Sequence, residues 1–381
     1  MFKNLRELIT SMPDEDTCRK YLMKERWNGV IVCPYCSCER VTVIEGGKRF
    51  KCNHKDCRKN FSVTVGTIME ASKIPICKWL TAIYLVTAHK KGISSYQLGR
   101  DLGVSQKSSW FMLHRIREML RAKENVMLDN IVEIDEVYIG GKVGNMSKSK
   151  RAKLREEGNT YNTKTMVMGM IERGGDLKLI PIGQSNNQIA IQPAVKNNVN
   201  SEAVVITDSL GSYTGLDKTF AAHEVVKHRE QEYVREGNIH TNTIEGAFSL
   251  LKRSIIGIYH QVTPKHLPRY CDETMFRYNL RKMKDADRFT YSIGKITGRL
   301  TYKDLIKDKE VTLRLHPNLN NIPAGVKGKP RSVVQIKDGE VIATYKSILA
   351  AAKINGLSPK NISRVLSGEQ ITCGGYQWNY A

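Results

Sequence analysis

No run of about 18 apolar residues occurs in the 381-residue sequence, so a membrane-spanning helix is not expected. The first ten residues, Met1–Thr10, lack the charged-then-apolar pattern of a secretory leader. Solenoid repeats and long low-complexity stretches are missing as well. Acidic residues are in short supply: 38 Asp and Glu stand against 60 Lys and Arg, leaving a formal net charge of +22. Such an excess points to a polyanionic partner, most simply nucleic acid, with a merely solvated basic surface as the alternative. Cysteine is sparse and odd in number, nine in all, with Cys33, Cys36, Cys52 and Cys57 close together. That distribution argues against a disulfide framework and for metal ligation in a reducing compartment.

Five zones follow from composition and pattern: a Cys-rich, short-stranded segment over residues 1–68, a helical one over 72–125, alternating strands and helices over 130–290, a basic irregular linker over 291–330 and a small unit over 331–381. In the first zone, Cys33-Pro-Tyr-Cys36 and Cys52-Asn-His-Lys-Asp-Cys57 form two knuckles around a hairpin at Gly46-Gly47. Four thiolates arranged this way suit one structural Zn²⁺ ion, which holds together a segment too small to fold on its own core. Cys38 and His54 are spare candidate ligands.

In the second zone, Ser94 and Ser95 can cap a short helix, Gly103 can turn the chain and Ser105 can cap a second helix. Trp110, Leu113, Ile116 and Leu120 would form its apolar face, with Lys107, Arg115 and Arg117 on the other. This is a helix-turn-helix pattern, and the basic residues are expected to face double-stranded DNA.

In the third zone, Ile131–Ile139, Thr165–Ile171 and Leu177–Ile182 read as strands, Gln188–Asn197 as a helix and Ala203–Asp208 as a further strand. Three strands, a crossover helix and a fourth strand match the α/β ribonuclease H-like fold. Asp135 and Asp208 sit in apolar strands, where an unpaired carboxylate is costly. A divalent cation between them removes that cost, and oxygen donors favour Mg²⁺ or Mn²⁺. A third acid is expected from the helix around Asn242–Arg253. There Ile244, Phe248, Leu251 and Ile255 keep a core-facing spacing, while Glu245 and Lys252 share a neighbouring face two turns apart. Each acid also has an ordinary structural use: Asp135 at a strand end, Asp208 as a helix cap, Glu245 as a surface ion pair. Glu133 and Glu136 flank Asp135 and are expected on the opposite face, outside the site.

The motif set as a whole resembles the IS1595 (ISXO2-like) insertion-sequence transposases over residues 15–285. It comprises the Cys knuckles with Phe61–Thr67, then Glu133–Lys142, Thr207–Tyr213, and His240–Arg253 with Gly257–His260. The resemblance implies a DDE-type enzyme that cleaves DNA at element ends and transfers strands into target DNA. It implies Asp135 and Asp208 as catalytic ligands and either Asn242 or Glu245 as the third, Glu245 being preferred for its charge. Two Mg²⁺ or Mn²⁺ ions about 4 Å apart would serve the chemistry, and Lys252 and Arg253 would hold the DNA backbone. Synapsis of two ends implies a homo-oligomer in the DNA complex, and the expected setting is cytoplasmic, at the nucleoid. A DNA-binding regulator with an idle core and a site-specific nuclease without strand transfer are the competing readings.

The last zone predicts a hairpin around Asp338-Gly339, a helix capped by Ser347 and another begun by Ser358-Pro359. It resembles the NUMOD1 DNA-binding module, a small helix-turn-helix unit, which implies a contact face including Lys360 and Arg364.

Overall fold

The computed structural model describes residues 2–122, 126–141, 143–156, 164–183, 188–226, 239–307, 333–337, 340–345, 348–357, 359–366, 370 and 372–380. The chain divides into two compact units, Met1–Leu319 and Asn320–Ala381.

The first unit begins with α1 (Leu5–Ser11) and α2 (Glu15–Trp27). Asn4 and Asp14 accept hydrogen bonds from Glu7 N and Thr17 N, which satisfies exposed N–H groups of each first turn. These helices correct the expectation of a purely short-stranded start. Leu8, Cys18 and Leu22 are buried in a helical core with α3 (Ile76–Ala88), α4 (Ser95–Leu102) and α5 (Gln106–Leu120). Ser94 and Ser105 cap α4 and α5, and Gly103 ends α4 in the left-handed conformation at φ +59°, as the sequence predicts. Between α2 and α3 lies a three-stranded antiparallel ribbon, β1 (Val41–Ile44), β2 (Arg49–Cys52) and β3 (Asn60–Phe61).

The next layer is a five-stranded sheet: β4 (Ile131–Ile139), β5 (Thr165–Glu172), β6 (Leu177–Gly183), β7 (Val204–Asp208) and β8 (Ala222–Val226). Its spatial order is β6-β5-β4-β7-β8. The first three strands form an antiparallel meander, and β7 joins β4 in parallel. Helix α6 (Lys148–Glu156) lies in the β4–β5 connection, and α7 (Gln188–Lys196) makes the crossover to β7. Period-two alternation divides the sheet's side chains between two cores. Val132, Ile134, Met166, Met168 and Val205 pack with Ile191 and Val195 of α7. Val137, Ile139, Val167 and Leu179 pack with α8 (Asn242–Ser254) and α9 (Leu267–Asn279). Strand β8 escapes the sequence reading because Ala222-His-Glu-Val-Val sits at the sheet edge and carries polar side chains.

Beyond α9, α10 (Asp285–Gly294) returns to the helical core through Phe289 and Ile293, and α11 (Tyr302–Ile306) buries Leu305. A linker starting at residue 291 is therefore corrected: the apolar positions Ile293, Ile296, Leu300 and Leu305 keep the chain folded through this stretch. Residues 308–330 of that zone lie outside the described residues. Among those described, no helix is long and apolar enough to cross a membrane.

The second unit is an antiparallel sheet in the order β10-β9-β11, from β9 (Val333–Lys337), β10 (Glu340–Tyr345) and β11 (Gln377–Tyr380). It carries α12 (Ile348–Asn355) and α13 (Pro359–Leu366). Val333, Ala351, Ala352, Ile362 and Trp378 form its core. Tyr345 Oη donates to Gln335 Oε1 at 2.6 Å, and Gln335 Nε2 donates to Asn355 Oδ1 at 3.1 Å, so the polar side chains meet one another. The expected turn at Asp338-Gly339, the cap Ser347 and Ser358 of the expected Ser358-Pro359 helix start lie outside the described residues.

Candidate metal centres and active site

The ribbon brings the Sγ atoms of Cys33, Cys36, Cys52 and Cys57 within 4.8 Å of one another. Cys33 and Cys57 are 3.8 Å apart and Cys36 and Cys52 3.5 Å, all as free thiols. Each knuckle is a tight turn: Ser37 N bonds to Cys33 O, Cys57 N bonds to His54 O, and Ser37 and Arg58 take positive φ. Burial pushes the Cys33 and Cys36 thiols up to about 11 and Cys52 up to about 12. Cys57 is shifted the other way: against its burial, it is lowered by the Lys59 backbone N–H and by hydrogen bonds from the neighbouring thiols. Four sulfurs this close together fit a soft divalent cation, which takes them as thiolates. Cys38 and His54 are not part of this cluster; Cys38 Sγ accepts from Arg40 N, and His54 Nδ1 accepts from Asp56 N.

The second candidate centre lies at the C-terminal rim of the sheet. The register Val132↔Val205 and Glu133↔Ile206 continues to set Asp135 beside Asp208, the last residue of β7. Carboxylate oxygens of Asp135, Glu136 and Asp208 lie within 4.8 Å of one another. Burial pushes the Asp135 carboxyl up to about 7, and the charges of Glu136, Asp208 and Glu245 add to that rise. Burial also raises Glu136, against the lowering effect of Tyr213 Oη, which donates to Glu136 Oε2 at 2.8 Å. Acids crowded under partial burial fit hard cations such as Mg²⁺ or Mn²⁺.

Glu136 departs from the sequence expectation. Strand parity does point it to the face opposite Asp135, but β7 ends level with Asp135, so the side chain can reach round the open rim. Glu133 departs differently. It is two residues from Asp135 and therefore shares its face, and it is fully buried against the start of α8.

Helix α8 carries Asn242, Glu245, Lys252 and Arg253 on its exposed side, with Ile244, Phe248 and Leu251 in the core. Its approach to the sheet depends on Gly169, which pairs with Asp135 across β4 and β5. A Cβ at this position would lie 2.5 Å from the Phe248 ring and 2.7 Å from Ile244 Cδ1. Gly169→Ala is therefore expected to push α8 outward and cost about 1–3 kcal/mol. Any DNA cleavage by the protein should fall roughly 10²-fold with DNA affinity unchanged. Urea melts and a cleavage assay check both parts.

The expected DNA face of α5 needs correction. Arg115 is 4% exposed, and its guanidinium donates to Leu300 O at 3.1 Å and Glu70 O at 2.6 Å. Arg117 is 1% exposed, paired with Glu273 of α9 at 2.6 Å and stacked on Tyr270. Helix α9 covers Arg117, and the segments carrying Glu70 and Leu300 cover Arg115. Arginine is so rarely buried that pattern alone places it outside. Lys107, in the first turn of α5, stays exposed. The side chains of Lys360 and Arg364 lie outside the described residues.

Fold and site together define a zinc-ribbon protein with a carboxylate cluster at the rim of a mixed sheet. Residues 127–279 match the ISXO2-like transposase domain, residues 13–60 the transposase zinc-ribbon domain, and residues 332–379 a DNA endonuclease I-HmuI-like, NUMOD-like domain. The chain is 30% identical over 259 residues to an uncharacterized protein in transposable element ISH50 of Halobacterium salinarum. The match covers 64% of this chain and 84% of that protein. The chain belongs to the ISXO2-like transposase family, IS1595.

Proposed function

We propose that the protein is a DDE-type DNA transposase with a ribonuclease H-like core, cleaving DNA at element ends and joining the freed ends to target DNA. The observation that carries this reading is the convergence of Asp135, Glu136 and Asp208 from adjacent strands, with the charge of Glu245 felt at Asp135. The sheet order, a meander extended by parallel strands, supports the ribonuclease H-like reading.

Asp135, Asp208 and Glu245 would hold two divalent cations, with Glu136 as a further oxygen donor at the rim. When bound, the cations lower the barrier to attack by water or a 3′-hydroxyl and stabilise the leaving oxygen. Tyr213 holds Glu136 by its hydroxyl and so fixes which oxygen faces the cluster. Lys252, two turns beyond Glu245 and roughly 10 Å along the helix, would bind a backbone phosphate, with Arg253 beside it. Asn242 sits at the start of the same helix, where it can orient a ligand without adding charge. The ribbon, Lys107 in α5 and the C-terminal unit would grip duplex DNA.

The test is a plasmid carrying inverted repeats identified in the DNA on either side of the gene, incubated with the full-length zinc-loaded protein and Mg²⁺. Cleavage at the repeat ends followed by joining to a second plasmid is expected. Cleavage without joining favours a site-specific nuclease, the reading to which the NUMOD-like domain lends weight. Binding without cleavage favours a regulator.

The charge of +22 gives a separate expectation. Affinity for the ends should fall steeply with salt, by roughly 10³-fold between 50 and 200 mM if six or more phosphates are neutralised. A salt titration by fluorescence anisotropy measures the slope, and a flat response removes phosphate contacts as the main source of affinity.

A further inference from the structure

Helix α8 has no side-chain cap of its own: Thr241, at the capping position, makes no such bond. The cap comes instead from the strand that carries Asp135. Glu133 Oε2 accepts from Thr243 N at 2.8 Å and from Ile244 N at 3.0 Å. Glu133 Oε1 accepts from Thr243 Oγ1 at 2.8 Å and from Arg173 Nε at 2.7 Å. His240 Nδ1 lies 3.3 Å from the same oxygen, and Arg173 Nη2 also donates to His240 O at 3.0 Å. Arg173 is itself fixed, since its backbone N bonds to Ile131 O at the start of β4.

Both oxygens of Glu133 are thus committed to protein donors, and the side chain is fully buried. Its geometry leaves nothing to offer a cation. A carboxylate on two N–H groups of a helix's first turn is favoured by the helix dipole, and a guanidinium balances its charge. The consequence is mechanical. Thr243 and Ile244 are in the same turn as Asn242 and Glu245, and Glu133 is on the same face of β4 as Asp135. One buried carboxylate ties the third acid's helix to the first acid's strand.

We infer that Glu133, held by Arg173, is a positioning residue that sets Glu245 and Asn242 against Asp135 and so completes the cation-binding cluster. This inference rests on the transposase reading. It differs from a plain stabilising cap in what it requires of metal binding.

The test uses the full-length, zinc-loaded protein without DNA. Mn²⁺ binding is followed by electron paramagnetic resonance, and amide hydrogen exchange is followed over residues 239–250. Glu133→Ala should weaken Mn²⁺ binding roughly tenfold or more and speed exchange at Thr243 and Ile244. The metal concentration for half-maximal cleavage should rise by the same factor. Glu133→Gln still accepts from the two N–H groups and should recover part of the loss, as should Arg173→Lys relative to Arg173→Ala. These conservative variants keep the test alive if Glu133→Ala fails to fold. Faster exchange at Thr243 and Ile244 with native Mn²⁺ affinity would reduce Glu133 to a structural cap and overturn the inference. Asp135→Asn serves as the reference. If it too leaves Mn²⁺ binding and cleavage intact, the transposase reading fails; if it abolishes both while Glu133→Ala does not, only the positioning role fails.

Discussion

Asp135→Asn will abolish cleavage, by roughly 10³-fold or more, and leave binding of element ends within about twofold of the native protein. The substitution is nearly isosteric. The amide oxygen can still accept from Glu136 N, as the carboxylate does at 2.8 Å, so β4 and its neighbours need not move. What disappears is the charge on the residue that pairs with Gly169 on one side and adjoins Asp208 on the other. The same variant has an opposite effect on stability. The folded protein raises this carboxyl to about 7 by burial and by the acids around it, whereas in an unfolded chain Asp titrates near 4. The native state therefore binds the proton more tightly. This group's contribution is fully present below about pH 4 and is lost as pH rises through about 7. In buffer freed of divalent cations other than zinc, Asp135→Asn should remove that loss and stabilise the protein by up to about 4 kcal/mol at pH 8. Urea melts at pH 5 and pH 8 separate the two cases. A protein that gains stability and loses activity through one side chain has an acid placed for chemistry rather than for folding. Near-native Mg²⁺-dependent cleavage by the variant would remove Asp135 from the catalytic account.

What could be read from the residues followed the range of the physics. The zinc knuckles were legible because all four ligands come from 25 consecutive positions with tight-turn spacing. The caps Ser94 and Ser105 and the turn at Gly103 were legible for the same reason, since each acts within three or four residues. Asp135 and Asp208 stood out as acids inside apolar strands. Glu136 did not, because alternation describes a strand flanked on both sides, and β4 outruns β7 at this point. The role of Glu133 was hidden further. Its partners Arg173 and Thr243 are 40 and 110 residues away, and nothing local announces them. Arg115 and Arg117 carry no local sign of burial because their compensating groups, the carbonyls of Glu70 and Leu300 and the carboxylate of Glu273, come from distant segments. Local signals thus account for the ribbon, the helix pair α4–α5 and strands β4 to β7, but not for α1, α2 or β8. The contacts that join them, including the one that seats α8, became visible only in three dimensions.

Removal of zinc will unfold the ribbon and spare the rest of the first unit. The ribbon's own core is small: Cys33, Phe50, Cys52 and Phe61 are its buried apolar residues, and two of these four belong to the four-thiol cluster. Trp27 of α2 adds edge contacts to Phe50 and Phe61 at 5.3 and 6.2 Å between ring centres. Against so little apolar burial, a tetrathiolate zinc site contributes about 10–16 kcal/mol near neutral pH, and chelation exceeds anything the aromatic contacts can offset. The loss should stop at Val63–Thr67. There the chain is stitched to the helical body by Arg26 Nη1 on Val63 O, by Gly298 N on Gly66 O and by the bridge between Thr67 and Thr297. Beyond it, Trp79, Ile83, Leu113 and Ile116 form a core of their own that no ribbon residue from 30 to 62 enters. Chelation under reducing conditions should therefore collapse the amide dispersion of residues 30–62 and change Trp27 fluorescence, while α3–α5 and the sheet keep their signals. Affinity for DNA should weaken, because part of the basic surface, including Arg49, Lys51 and Lys55, loses its fixed geometry. An apo protein whose residues 30–62 remain dispersed in heteronuclear NMR spectra would mean that the four thiols pack without a metal.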